Sequence, residues 1–369
     1  MIAKDRICAV AAAADSGGMW KQVARALATT RTVELRLDWL ANDGERNRFL
    51  ARLARERPRA TLIATCRRRE AGGRFRGTIA QQLVQLAAAV RAGCGWYDLE
   101  VESSARCPAE LLEVLLGEGR RIASAHFFGR APANWRRVAA ELGHGRPDAI
   151  KIAAQCDTLA LALGVLRLAR GRKDVIAIPM GDVALPARVL ALREGSALGY
   201  AAVENATAPG QVTLEAMKNL YRADELRRKT RVYGVIGDPV GHSLSPVLQN
   251  AGFQARRMDA VYLPFRVRGL RDFLGAIAPL GIAGFSVTIP HKQIILRELD
   301  DCDPMAAAIG AVNTVVVRGG GKLYGYNTDY VGVLRALERR IPLRGSRVLI
   351  FGAGGAARAV AFALAQSGA

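Results

Sequence analysis

The sequence lacks the long apolar run that a membrane-spanning helix requires, because no stretch reaches roughly 18 apolar residues. The amino-terminal apolar run is very short: Asp5 and Arg6 precede it and Asp15 ends it. We interpret it as a first β-strand, so no export signal is expected and the predicted location is cytoplasmic.

Cysteine pairs are missing too. The six cysteines form no CxxC pair and have no framework spacing, which favours reduced thiols over disulfides. No metal site is predicted. Half of the 369 residues are hydrophobic, which is enough to fill complete cores. At about 150 residues a domain, this length corresponds to two or three domains.

Lysine is scarce, since eight lysines stand against 45 arginines in a chain of net charge +20. The arginines are scattered along predicted helix faces with no interleaved aromatic residues and no recognition motif. We therefore expect a solvated surface, with no nucleic-acid partner and no membrane partner. A basic surface instead favours the capture of small anionic substrates.

Eight β-rich runs alternate with amphipathic helical stretches over the first 220 residues. This repeat is typical of a (β/α)8 TIM barrel, and an open doubly wound sheet is the alternative. The runs cover residues 6–13, 32–40, 60–67, 96–102, 120–127, 148–155, 174–181 and 197–204.

Charged residues gather where these predicted strands end, which is where a barrel carries its functional side chains. In the second run, strand alternation places Glu34, Arg36 and Asp38 on one face, which we expect to point into the barrel. Arg67 and His126 end the third and fifth runs. Each charge alone is more typical of a structural role, but their coincidence at one rim predicts a site.

Lys151 lies in the sixth run between the apolar residues Ile150 and Ile152. A cation in apolar surroundings is costly and tends to lose its proton. A neutral amine can then attack a carbonyl and form a Schiff base. We expect this chemistry, with His126 one strand earlier as the proton shuttle. The alternative is a lysine whose charge reaches solvent at the strand end.

These residues lie in motifs that resemble those of type I 3-dehydroquinate dehydratases. VELRLD, TCRRREAGG, SAHFF, IKIA, PMG and TAPGQ occur in the family's order over roughly residues 5–221. The resemblance implies syn-elimination of water from 3-dehydroquinate, without a cofactor, through an imine on Lys151. His126 would remove the C2 proton and return it to the departing C1 hydroxyl. The implied substrate-site residues are Glu34, Arg36, Arg67, Arg188, Thr207 and Gln211, with Arg188 expected to hold the carboxylate.

The resemblance is incomplete around His126. Phe127 follows the histidine where the family often has aspartate. Ala71 stands where the family has the glutamate that orients the histidine, with Glu70 one place early. Either Glu70 reaches the histidine through a local bulge or another acid does. Thr207 replaces the usual serine and keeps the hydroxyl.

A polar connector, residues 222–230, precedes a second series of strands and helices. GVIGDPVGHSLSP, SVTIPHK, GAVNT and GYNTD resemble the substrate domain of shikimate dehydrogenases over residues 231–342. The resemblance implies that Lys292 and Asp329 transfer the proton at C3 of the substrate. The residues implied to hold its carboxylate and ring hydroxyls are Ser243, Ser245, Thr288, Asn313 and Asp329. Taken alone, the lysine and the aspartate are equally compatible with a surface salt bridge.

The last residues carry a dinucleotide-binding fingerprint. An apolar run, Arg347–Phe351, leads through a glycine-rich turn into a predicted helix, an arrangement that binds pyrophosphate at the helix amino terminus. The candidate cofactor contacts are Gly352, Ala353, Gly354, Gly355 and Ala356. In dinucleotide-binding domains, a residue about 20 positions beyond the glycines binds the ribose of the cofactor, and this position is not in the sequence. We therefore expect only the first strand and helix of a truncated Rossmann domain, for which the resemblance implies NADP.

The sequence thus predicts a barrel over residues 1–221, a connector, a substrate domain over 231–342 and the start of a Rossmann domain over 343–369. The order of motifs resembles bifunctional 3-dehydroquinate dehydratase/shikimate dehydrogenases. Two alternatives remain open. One is another imine-forming barrel, such as an aldolase, and the other is a non-catalytic arginine-rich protein that binds polyanions.

Overall fold

The computed structural model describes residues 2–3, 5–107, 110, 112–113, 117–129, 131–204 and 206–369. The chain divides into two units, Met1–Arg228 and Lys229–Ala369. The first unit takes in most of the predicted connector. There Ala223 and Leu226 are buried, and Lys218 Nζ donates a 2.6 Å hydrogen bond to Asp224.

Eight parallel strands form the sheet of the first unit, in the spatial order β7-β6-β5-β4-β3-β2-β1-β8. The sheet nearly closes into a ring, because β8 pairs with β1 and the Ala197 amide donates to the Val175 carbonyl across 2.8 Å at the start of β7. The strands are β1 (Ile7–Ala11), β2 (Thr32–Arg36), β3 (Thr61–Thr65), β4 (Trp96–Glu100), β5 (Arg120–Phe127), β6 (Ala149–Gln155), β7 (Val175–Met180) and β8 (Gly199–Ala202). This sequential order confirms the barrel, since a doubly wound sheet reverses its order at a switch point.

Helices connect these strands, and the longer ones begin at polar capping residues. Asp15, Asn42 and Thr158 each accept a hydrogen bond from a backbone amide of the first turn, and Thr78 forms a reciprocal capping box with Gln81. The helices are α1 (Ser16–Leu27), α2 (Asp43–Glu56), α3 (Ile79–Arg91), α4 (Val101–Ser104), α5 (Trp135–Gly143), α6 (Leu159–Arg167) and α7 (Leu185–Leu190), with a π-helix at Ala216–Leu220.

Alternation along each barrel strand separates two apolar layers. On β6, Ile150 and Ile152 pack outward against buried residues of α6, such as Ala162 and Val165. Other strand residues, such as Ile176 of β7, fill the interior of the ring. A polar side chain between two outward isoleucines therefore points into the barrel.

The second strand is shorter than predicted. β2 ends at Arg36, and Leu37–Trp39 forms a 3₁₀ turn. Asp38 is therefore not a third inward residue of the strand, although it is buried. The turn folds it back to pair with Arg36, which satisfies both charges locally.

The second unit contains a six-stranded mixed sheet in the order β10-β9-β11-β13-β14-β12. Its strands are β9 (Arg231–Gly237), β10 (Ala260–Arg266), β11 (Ile282–Val287), β12 (Asp301–Cys302), β13 (Thr314–Val317) and β14 (Leu323–Tyr326). β13 and β14 form the hairpin predicted at the three glycines. The helices are α8 (Ser245–Ala255), α9 (Leu270–Leu280), α10 (Pro304–Ile309), α11 (Asp329–Glu338) and α12 (Gly355–Gln366).

The predicted strand at Arg347–Phe351 does not form. Leu349 is 77% exposed and Phe351 is 90% exposed, and no described strand pairs with this segment. A strand without a neighbour leaves its backbone N–H and C=O groups without hydrogen-bond partners, so the apolar run alone is not enough for a strand to form. The helix that follows does form, and the ring of its Phe362 meets Tyr330 of α11 edge-on at 6.0 Å.

Among the helices of the described residues, none combines the length and the apolar character that crossing a bilayer requires.

Candidate active site

A pocket opens where the barrel strands end. All the site residues predicted from sequence for this unit line it: Glu34, Arg36, Arg67, His126, Lys151, Arg188, Thr207 and Gln211. They come from six different strands or from the segments that follow these strands, including α7, which carries Arg188, so ring closure is what brings them together.

Lys151 projects from β6 into this pocket and is ion-paired there. Its Nζ lies 3.0 Å from Glu34 Oε1 and 2.9 Å from Asp98 Oδ2, and only 4% of the residue is exposed. The expectation of an amine in apolar surroundings is therefore wrong. Ile150 and Ile152 face the surrounding helices on the other side of β6, so they do not describe the environment of Nζ.

Asp98, which the sequence pattern did not single out, links Lys151 to a second cation. Its Oδ1 lies 2.8 Å from Arg67 Nη2 and accepts a 2.6 Å hydrogen bond from Ser124 Oγ. Arg67 Nη1 also lies 3.2 Å from Glu100 Oε1. Strand alternation identifies Asp98 in retrospect, because it lies two residues before Glu100 on the same face of β4.

The charge of Asp98 is fixed by its neighbours. Burial alone would raise the pKa of this carboxyl, yet Arg67 and Lys151 hold the pKa well below its usual range. Asp98 therefore stays ionised over the working pH range, and it holds the Lys151 nitrogen and the Arg67 guanidinium in place.

His126 lines the same pocket from β5, beside β6. Burial lowers the pKa of the imidazole well below its ordinary value, and Arg67 lowers it further. The ring is therefore neutral at neutral pH and able to accept a proton. Within the described part of the chain, Nδ1 has no hydrogen-bond partner. Phe128 stacks on the imidazole, with the ring centroids 6.3 Å apart.

Among the described residues, no carboxylate hydrogen-bonds to His126 Nδ1 in place of the missing orienting acid. Glu70 is exposed and pairs instead with Arg68 across 3.2 Å, so it does not reach the histidine through a bulge. Phe127 points to the other side of β5, where it meets Trp135 edge-on. The aspartate-to-phenylalanine departure therefore changes the outer layer of the barrel and not the pocket.

The three pocket arginines differ in how their charge is balanced. Arg36 donates through Nε and Nη2 to the two oxygens of Asp38, at 2.9 and 2.8 Å, and Arg67 has its own carboxylates. Among the described residues, the Arg188 guanidinium bonds only to the Pro209 carbonyl, at 3.0 Å. Burial lowers the pKa of Arg188 to about 10. A buried guanidinium without a carboxylate partner suits an anionic group of a ligand.

The loop after β8 brings Thr207 and Gln211 to the pocket. Gln211 Oε1 accepts hydrogen bonds from the Thr207 amide at 2.7 Å and from its hydroxyl at 3.1 Å. Gly210 has φ +66°, and a Cβ there would lie 2.3 Å from the Gly181 carbonyl oxygen. Glycine at this position therefore lets the loop lie against the one that follows β7.

In the second unit, the predicted residues lie at one edge of the sheet, where β9, β11 and β14 end and β13 begins. Lys292 Nζ is 2.5 Å from Asp329 Oδ2, and Asn313 Nδ2 donates to Asp329 Oδ1 across 2.7 Å. The structure thus brings three of these residues into one cluster.

The remaining predicted residues of this edge stay apart from that cluster. Ser243 and Ser245 follow β9, where the Ser245 amide donates to Ser243 Oγ at 3.3 Å, and Thr288 follows β11. In the described chain, none of the three bonds to Lys292 or Asp329. A ligand that contacts both the Lys292–Asp329 cluster and these three hydroxyl residues would have to lie along the sheet edge.

The glycine-rich turn lies beside Lys292. A Cβ at Gly355 would approach the Lys292 Cβ to 2.8 Å, and Gly352 has φ +118°, so both positions require glycine. The predicted cofactor contacts are in this turn and the start of α12: Gly352, Ala353, Gly354, Gly355 and Ala356. They fit the pyrophosphate end of a dinucleotide. They do not form a complete dinucleotide site, because the strand that precedes such a turn is not formed.

A (β/α)8 barrel whose polar pocket holds a buried lysine where the strands end is the architecture of an enzyme. The profile of the type I 3-dehydroquinase family matches residues 7–228, so the chain belongs to that family. The profile of the shikimate dehydrogenase substrate binding domain matches residues 235–315.

Individual relatives agree with both matches. The chain is 32% identical over 357 residues to a chloroplastic bifunctional 3-dehydroquinate dehydratase/shikimate dehydrogenase of Arabidopsis thaliana. The aligned region covers 91% of this chain and 59% of the relative. It is 52% identical over 142 residues to a shikimate dehydrogenase (NADP(+)) of Bacillus anthracis, covering 37% of this chain and 51% of the relative. The chain therefore spans between half and three-fifths of the length of these two relatives.

A solved structure agrees with the barrel fold. The type I 3-dehydroquinate dehydratase from Clostridium difficile superposes with a TM-score of 0.50 at 20% identity, covering 58% of this chain and 91% of that one. This likeness concerns the fold alone.

Proposed function

We propose that the first unit dehydrates 3-dehydroquinate to 3-dehydroshikimate through an imine on Lys151. One observation carries the proposal: the buried Lys151 shares a single pocket with the neutral base His126 and with Arg188, which has no carboxylate partner. The family match favours this reaction over another imine-forming barrel, and it argues against a non-catalytic polyanion-binding protein.

Imine formation requires that Lys151 lose a proton. Glu34 and Asp98 lie within 3.0 Å of Nζ, and because Asp98 stays ionised, we assign Glu34 as the acceptor of this proton. The nitrogen then bonds to the ketone carbon of the substrate, and the ketone oxygen leaves as water. The resulting cation on nitrogen draws electrons from the neighbouring carbon and acidifies its proton.

His126 supplies the base for the elimination. Its imidazole is neutral because burial disfavours the charged form. It accepts the proton at C2, and the electron pair of that bond forms the double bond as the C1 hydroxyl departs. The imidazolium returns the proton to this hydroxyl, which leaves as water, and a second water then hydrolyses the imine to release Lys151.

Arg188 anchors the substrate carboxylate in this scheme. Its guanidinium is buried, with one backbone carbonyl as partner, so a carboxylate would complete its hydrogen bonding. Arg36 and Arg67 have their own acids and serve instead to hold the geometry of the pocket.

The direct test traps the imine. The full chain is mixed with 3-dehydroquinate and borohydride, and the expected adduct on Lys151 is located by mass spectrometry of peptides. Lys151→Ala should lose the adduct and the dehydration, whereas Lys173→Ala, which changes an exposed lysine of the same unit, should keep both. Turnover by a folded Lys151→Ala variant would reject the proposal.

For the second unit, we propose binding of 3-dehydroshikimate or shikimate at the sheet edge that carries Lys292 and Asp329. The nicotinamide cofactor of the related dehydrogenases supplies hydride in their reaction. Because only the pyrophosphate end of a dinucleotide site is formed here, we expect these 369 residues to show negligible NADP-dependent oxidation of shikimate. An activity comparable to that of a longer relative, measured by NADPH absorbance, would contradict this expectation.

A further inference from the structure

We propose that Tyr200 is a further catalytic residue of the barrel: its hydroxyl donates a hydrogen bond to the substrate oxygen on the carbon that Lys151 attacks. This inference rests on the proposed dehydratase function. It adds a group that none of the sequence motifs singled out, on β8, which is two strands along the ring from β6, the strand that carries Lys151.

The first observation is a buried hydroxyl that the protein does not satisfy. Tyr200 is only 6% exposed and lines the catalytic pocket. Among the described residues, its hydroxyl has no hydrogen-bond partner. Leaving such a group unpaired costs stability, and a buried tyrosine normally finds a partner for it. A hydroxyl kept at that cost in a ligand pocket suggests a ligand as the partner.

The second observation places this residue against the reacting nitrogen. Lys151 Nζ lies 4.1 Å from the centroid of the Tyr200 ring. At this distance the face of the ring attracts the positive nitrogen, and it would do the same for the protonated imine. The hydroxyl is on the same ring, so the substrate atoms nearest to it are those around the carbon that Nζ attacks.

The other polar groups near Nζ have partners within the protein. Glu34 accepts from both Thr65 and Lys151, and Asp98 is held by Arg67 and Lys151. The neutral donors among these contacts, the hydroxyls of Thr65 and Ser124, already donate to Glu34 and Asp98. Burial keeps the pKa of Tyr200 well above its ordinary value, so the phenol retains its proton and acts as a donor.

A donor at this position has a defined role in the step. When the C–N bond forms, the electron pair of the carbonyl double bond moves to oxygen. That oxygen then takes up two protons and leaves as water; both come from the Lys151 nitrogen, one of them by way of Glu34. Tyr200 donates a hydrogen bond to the oxygen while the charge develops and keeps its own proton. A donor fixed in place before the reaction lowers the barrier because no reorganisation is needed.

Tyr200→Phe removes the hydroxyl and keeps the ring over Lys151. We expect kcat/KM for 3-dehydroquinate to fall about 10-fold, the size expected for one neutral hydrogen bond. The rate of borohydride-trapped adduct formation in a single turnover should fall by a similar factor. Thermal stability of the free protein should stay equal or rise, because an unpaired buried hydroxyl has been removed. Tyr200→Leu, which also removes the ring, should slow adduct formation further.

The matched control is Tyr97→Phe, the same change at a buried tyrosine of the barrel that does not line this pocket; it should leave the trapping rate unchanged. Adduct formation by Tyr200→Phe at the wild-type rate would overturn the inference and leave the proposed function intact. Loss of stability together with activity would assign the hydroxyl a structural role and also overturn it. Absence of any adduct in the wild type would reject the proposed function and this inference with it.

Discussion

The two units hold their central lysines in different ways. In the barrel, the Lys151 side chain is 5% exposed and contacts two carboxylates, whereas in the second unit Lys292 is 18% exposed and contacts one, Asp329. The ring brings the acids of β2 and β4 across to β6, whereas at the open sheet edge Lys292 meets only the carboxylate at the start of α11. A fully buried cation needs compensation from several sides, but a partly solvated cation does not.

The largest effect is expected from breaking the buried network. Asp98→Asn should lower the free energy of unfolding by about 3–5 kcal/mol, because Lys151 and Arg67 both lose a buried carboxylate. Urea denaturation of the full chain, followed by a signal from the first unit, measures this change. Asp329→Asn provides the matched variant in the second unit. There the pair is partly exposed, and the expected loss is about 1 kcal/mol or less. Equal losses at the two sites would remove the distinction between them.

A smaller effect, on binding, is expected at Arg188. Arg188→Met removes the pocket cation that lacks a carboxylate, so KM for 3-dehydroquinate should rise about 100-fold, as when one partner of a buried charge pair is lost. Stability should be retained or increased, since a buried cation with a single carbonyl partner is costly. Arg188→Lys keeps the charge and loses the fork geometry, so it should rescue KM only in part. An unchanged KM in Arg188→Met would show that the substrate carboxylate binds elsewhere.

The smallest effect concerns pH. The pKa of His126 in the folded protein lies below its ordinary value, so the folded protein resists protonation that the unfolded chain accepts near pH 6.5. Stability contributed by the neutral imidazole is therefore full above this pH and is lost as the pH falls below it. Because the neutral imidazole is the base of the proposed reaction, kcat/KM should begin to fall only at a pH below 6.5.

The histidine variant His126→Leu should make the unfolding free energy less dependent on pH between 5 and 7, as measured by denaturant titrations at several pH values. The corresponding change of His144 to leucine, at a histidine that does not line the pocket, serves as the control. An acidic limb above pH 6.5 would contradict the neutral, buried imidazole.

Most of the barrel could be predicted from local pattern. The strand β5 has the predicted ends, and the other seven barrel strands form inside their predicted runs, because period-two alternation and the intervening amphipathic helices are encoded locally. The prediction extended β2 too far, since nothing in the sequence TVELRLDWL signals that Asp38 turns back to Arg36.

The site was only partly predictable. Charges at strand ends indicated the pocket residues, but the surroundings of Lys151 were misjudged from its neighbours in sequence. In a strand these neighbours point to the opposite face. The partners of its Nζ, Glu34 and Asp98, are 117 and 53 residues away, so no local pattern could indicate the ion pairs. The same holds for the unpaired hydroxyl of Tyr200.

The sequence by itself determined which segments become strands and helices, and which side chains face inward, because these properties depend on residues a few positions apart. Tertiary structure alone decided which charges meet, since only closure of the ring places β2, β4 and β8 around Lys151. It also decided that Arg347–Phe351 is not a strand, because a strand depends on a neighbour that can accept and donate its backbone hydrogen bonds.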